Sequence, residues 1–185
     1  MEKNKPLVHP DRYTWERLVN LKEGTVVYVS ELEQPRFMIR KGYGSLCGYI
    51  GYPKNHPITN LSHIVLDKLN VHGGVTFDGE FDAKGLIGPE VSKELAKELS
   101  GYHWFGWDYA HFGDYFMFYD KPDMAHIFKT QESLEIHKDE KKWGVEDVIQ
   151  DSLPDIIKFN NFLKINYRLL QVKNWINKVL RRKNV

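Results

Sequence analysis

The sequence predicts one α+β domain: a mixed or antiparallel sheet, a few flanking helices and a C-terminal basic amphipathic helix. Three observations predict it. Short β-branched and aromatic runs recur between Thr25 and Tyr109, whereas helical apolar spacing takes over after Val145. The chain of 185 residues is 42% hydrophobic and 14% aromatic, enough apolar surface to offset the entropy of ordering one core.

Residues 10–21 bring Tyr13, Trp15, Leu18 and Val19 near one helical face behind Asp11 as a cap, which predicts a short helix. Thr25 to Val29 and Phe37 to Ile39 read as strands. Leu46 to Tyr52 alternate in side-chain direction until Pro53 stops the strand, and Gly48 and Gly51 leave room for a close neighbour. A loop over 55–70 leads into Val71-His72-Gly73-Gly74 and a strand at Val75 to Phe77. Pro89 suits the first turn of a helix running to Leu99, with Val91, Leu95 and Leu99 at four-residue intervals. Trp104 to Tyr109 form an aromatic strand expected in the sheet interior.

Residues 129–142 are charged and read as a solvated connector. Val145 to Leu163 fit a core-facing helix, bent or restarted at Pro154. A last helix over 164–183 carries the stripe Ile165, Leu169, Val172, Ile176 and Leu180, among Lys164, Arg168, Lys173, Lys178, Arg181, Arg182 and Lys183 with no acidic residue between them. The organisation is therefore a domain over 1–163 and a helix over 164–185 docked on it, with binding of that helix to an acidic protein partner, a membrane surface or nucleic acid as the alternatives.

Lys+Arg 26 against Asp+Glu 25 give a net charge of +1, so no global field points to nucleic acid. Cys47 is the only cysteine and no apolar run has the length of a membrane span, so a cytoplasmic location is expected, the host's cytoplasm if the chain is phage-encoded. Cys47 itself reads as a small buried hydrophobe rather than a nucleophile.

The chemistry-bearing stretch is Asp108-Tyr109-Ala110-His111-Phe112-Gly113-Asp114, two carboxylates and an imidazole just past a buried strand. With His72 it supplies candidate acid–base groups or ligands for a divalent metal, His72, Asp108, His111 and Asp114 serving in either role. The competing reading is a hydrogen-bonded turn. Gly73 and Gly74 leave backbone N–H groups open to a phosphate, and the loop after Pro53 offers Lys54 and His56 as a lid. Tyr49, Trp104, Trp107 and Tyr109 are candidate stacking surfaces. His9, His63, His103, His126 and His137 read as surface or packing residues. Zinc-finger, zincin and serine-hydrolase spacings are absent from the sequence.

The segments Cys47 to Pro57 (CGYIGYPKNHP), Leu69 to Gly79 (LNVHGGVTFDG) and Trp104 to Asp114 (WFGWDYAHFGD) resemble hallmark stretches of an uncharacterised family of small proteins encoded by phages and bacteria. They cover under half of the chain. The resemblance implies that His56, His72, Asp108, His111 and Asp114 stand at motif positions, while Tyr109 occupies a place where such proteins often have cysteine, which speaks against a thiol mechanism there. The basic tail after about residue 164 is additional to that pattern. The expected function is an accessory protein that binds, and as an enzyme hydrolyses, a phosphate-containing, nucleotide-like small molecule with metal assistance. The alternatives are non-catalytic capture of a nucleotide-derived signal in counter-defence and an interaction role for the C-terminal helix.

Overall fold

The computed structural model describes residues 12–30, 34–60, 66–89, 91–124 and 137–183, the last helix beyond residue 166 as backbone. Its elements are α1 (Trp15–Asn20), β1 (Val26–Val29), β2 (Arg36–Lys41), β3 (Leu46–Pro53), β4 (Phe77–Glu80), α2 (Lys93–Leu99), β5 (Tyr102–Asp108) and α3 (Val145–Lys183). The α+β reading holds. The five strands lie in the order β1-β2-β3-β5-β4, each pair antiparallel. After the β1-β2-β3 meander the chain crosses to the far edge, lays down β4, and returns through α2 to place β5 inside.

Side chains alternate across the sheet, so each strand feeds two cores. On one face Phe37, Ile39, Leu46, Ile50, Phe105 and Trp107 pack with Val145, Val148, Ile156 and Phe159 of α3. On the other, Val29, Met38 and Trp104 pack with Ala96 and Leu99 of α2. The strand glycines make room for indoles. A Cβ on Gly48 would lie 2.6 Å from the Trp107 ring and one on Gly51 2.7 Å from the Trp104 ring.

Several boundaries differ from the expectation. Thr14 caps α1 by accepting from the Arg17 N–H, and Asp11 lies outside the described residues. Helix α2 starts at Lys93 rather than Pro89, because Ser92 accepts from the Leu95 N–H and supplies the cap that Pro89 has no side chain to make. Strand β4 begins at Phe77, two residues later than Val75. The two expected C-terminal helices are one 39-residue helix, about 58 Å long, that passes through Pro154. The ring removes a single N–H donor, and burial of Ser152 and Ile156 on either side keeps the helix on the sheet.

Candidate functional site

The register of the edge strand assembles the site. Phe77 of β4 pairs with Gly106 of β5, and the Thr76 N–H donates to the Gly106 carbonyl at 2.8 Å. Since the strands are antiparallel, residues preceding Thr76 run alongside residues following Asp108. His72 and Asp114 therefore meet. His72 Nε2 and Asp114 Oδ2 are 2.7 Å apart.

Three further features fix that pair. Asp114 is buried; its Oδ2 also accepts from the His111 N–H at 2.8 Å and its Oδ1 from Trp143 Nε1 at 2.6 Å. Trp143 arrives because the Lys141 N–H donates to the Gly113 carbonyl and the Tyr115 N–H to the Lys141 carbonyl, a parallel bridge between Asp114 and Lys141. The His72 ring stacks on Tyr109 with centroids 4.7 Å apart and planes 9° apart, and Trp143 closes against it at 5.0 Å. The Tyr109 hydroxyl is in turn held by Asp151 Oδ2 and Ser152 Oγ of α3, each at 2.8 Å.

Gly73 and His111 interlock. Gly73 has φ +65°, and a Cβ there would fall 1.7 Å from His111 Nε2, so only glycine admits the imidazole. Gly74, at φ +80°, has open space around it, and its N–H donates to the Val71 carbonyl. That bond removes one of the donors expected for a phosphate.

The electrostatics follow from these partners. Burial alone would raise the Asp114 carboxyl, but hydrogen bonds from the His111 backbone, Trp143 and His72 outweigh it and hold the group below the ordinary carboxylate value. A cation stands nearby: Lys141 Nζ lies 3.4 Å over the Trp143 ring centroid. Phe112 projects into solvent from the same turn.

The other expected site residues divide. Asp108 lies on the opposite face from Tyr109, across from Cys47 in β3; it accepts from the Ala110 N–H and approaches His111 Nε2 at 3.8 Å. Among the described residues no three His, Cys, Asp or Glu side chains form a group able to hold a metal ion, so the set His72, Asp108, His111 and Asp114 is not a metal centre here. The physical reason is that both Asp114 oxygens are already engaged and Asp108 points to the other face. Trp107 and Tyr109 are corrected as ligand surfaces too. Each is buried, Trp107 stacked on Phe37 and Tyr109 under His72, and Trp104 is equally enclosed.

Tyr49 packs edge-on to Phe77 and Phe81 on the second face. Lys54 pairs with Glu80, and His56 stacks on Tyr52 at 4.9 Å. These two lie beyond the Pro53 end of β3, about 20 Å from the Asp108 end of β5, so they form no lid over His72. Cys47 is half-buried; burial first and then Asp108 push its thiol up to about 11, which removes it as a nucleophile. His103 and His137 do have carboxylate partners, Asp78 and Glu140, the first reached only through strand pairing. His9, His63 and His126 lie outside the described residues.

Sequence reasoning missed Trp143, Lys141, Asp151 and Ser152. A single tryptophan closing a charged run was the available signal. No family model, curated protein or solved structure matches the chain.

Proposed function

We propose that the protein binds a phosphate-containing, nucleotide-like small molecule beside the 71–76 and 108–114 segments and hydrolyses it by general base catalysis, without a bound metal. The observation that carries this reading is the His72–Asp114 pair at 2.7 Å, with Asp114 buried and engaged at both oxygens. An imidazole whose Nε2–H donates to a fixed carboxylate keeps its Nδ1 lone pair for a water proton. The water oxygen bonds to phosphorus as the bond from phosphorus to the leaving oxygen breaks, the carboxylate stabilises the imidazolium that forms, and the imidazolium then returns its proton to the leaving oxygen or to solvent. His72 remains partly open to solvent, as a base must be.

Asp114 is the orienting group and His111 a positioning residue that donates its N–H to Asp114 and wedges against Gly73. Lys141 supplies positive charge for an anionic ligand. Non-catalytic capture by stacking loses support from the burial of Trp104, Trp107 and Tyr109.

The test is incubation of the full chain with nucleoside mono-, di- and triphosphates and dinucleotides, followed by phosphorus NMR with and without EDTA. Turnover of at least one phosphoester is expected, undiminished by EDTA and lost in His72→Ala. An inert wild-type protein, or a His72→Ala variant that matches it, contradicts the proposal.

A further inference from the structure

The single helix α3 carries two apolar lines that do not share a face. Val145, Val148, Ser152, Ile156 and Phe159 are buried against the sheet. At about 100° per residue, the line through positions 162, 165, 169, 172 and 176 is centred about 120° away from that docking line. Continuity through Pro154 makes the comparison meaningful, since one helix fixes both angles.

The described side chains agree with the geometry. Phe162 and Ile165, the first members of the second line, are 39% and 60% exposed. Asn166, which extends the docking face past Leu163, is exposed as well. The sheet that covers the first line therefore leaves Phe162 and Ile165 uncovered.

Charge selects the occupant. No acidic residue follows Asp155, while Arg168 and Lys173 fall at the margins of the second line. Two copies of this helix would set basic margins against each other, which disfavours self-association. A basic amphipathic helix matches the anionic headgroup layer of a bilayer. Among the described residues no helix is long and apolar enough to cross a membrane, so the contact is with the surface.

We propose that the segment 162–183 docks the protein on an anionic membrane surface. Phe162, Ile165, Leu169, Val172 and Ile176 enter the acyl boundary and the basic residues pair with lipid phosphates. The test is co-sedimentation of the full chain with vesicles of phosphatidylcholine alone and of equal parts phosphatidylcholine and phosphatidylglycerol.

At least about tenfold stronger binding to the anionic vesicles is expected, since each basic residue near such a surface contributes about 1 kcal/mol. Raised salt and the double substitution Ile165→Asp with Leu169→Asp should both reduce it. If that variant misfolds by near-UV circular dichroism, Arg181→Glu with Arg182→Glu near the helix end serves instead. Equal binding to both vesicles, absence of binding, retention by the folded variant, or binding to a poly-glutamate peptide in place of vesicles would overturn the proposal.

Discussion

His72 and Asp114, 42 positions apart, are joined side chain to side chain at 2.7 Å, and Asp114 also accepts from the His111 N–H of its own turn and from Trp143 Nε1. The carboxylate thus ties the 71–76 loop, the turn after β5 and the start of α3 together. It serves the fold and orients the imidazole at once.

Asp114→Ala would leave Trp143 Nε1 and the His111 N–H without their acceptor in a buried place. A loss of about 2–4 kcal/mol is expected in urea unfolding, with the midpoint lowered and the slope unchanged. Asp108→Asn, which keeps an acceptor for the Ala110 N–H and removes only a partly exposed charge beside His111 and Cys47, should cost under about 1 kcal/mol.

The two glycines after His72 should respond differently to alanine. Gly73→Ala puts a methyl into His111 in addition to straining φ, so about 2–4 kcal/mol and displaced His111 resonances are expected. Gly74→Ala meets no atom and carries backbone strain alone, about 1 kcal/mol. Thermal unfolding and proton NMR spectra of the pair check this.

Acid should weaken the domain through two carboxylates. Asp114 and Asp120 are both held below the ordinary carboxylate value despite burial, Asp120 by hydrogen bonds from Trp15, Lys142 and Tyr115. A folded pKa below the unfolded one contributes stability above the unfolded value and loses it as the pH falls through the folded one. Urea midpoints should therefore drop as the pH falls below about 4, and less steeply in Asp120→Asn.

Alkali tests Lys41. It is buried, its ammonium donates to the Gly42 and Tyr43 carbonyls, and burial followed by repulsion from Lys121 lowers it to about 8. Between that value and the ordinary lysine value the unfolded chain binds the extra proton, so this group adds stability as the pH rises from about 8 towards 10, by up to about 3 kcal/mol. Cys47, Tyr49, Tyr52 and Tyr109 are all raised by burial, so in the unfolded chain ionisation of the thiol opposes the rise from about pH 9 and ionisation of the phenols reverses it above about pH 10. Lys41→Met should abolish the rise.

Much of this arrangement was legible in the chain. β-branched and aromatic runs located β1, β2, β3 and β5, and the grouping of His111 with Asp114 one turn past an aromatic strand marked the candidate site. His72 stood out through the glycines that follow it. Its pairing with Asp114 depends on β4 lying antiparallel at the edge, a long-range register that no local pattern encodes. Trp143 and the Asp151–Ser152 anchor were hidden for the same reason. Tyr109 and Trp107 were misjudged as ligand surfaces because strand alternation assigns a face and leaves open what covers it; here α3 covers it. The unbroken passage through Pro154 shows tertiary packing prevailing over a local helix breaker.

Tyr109→Phe separates the scaffold from the chemistry. It keeps the ring under His72 but deprives Asp151 and Ser152 of the hydroxyl, so a loss of about 1–2 kcal/mol with His72 still paired to Asp114 is expected. Chemical denaturation together with the imidazole proton resonance of His72 reads both effects.

The most direct measurement is nitrogen-15 NMR of the His72 ring at neutral pH in wild type and Asp114→Asn. The account predicts a proton on Nε2 directed at Asp114, an unprotonated Nδ1, and loss of that tautomer preference in the variant. A proton on Nδ1 in the wild type, or identical ring shifts in the two proteins, would contradict it.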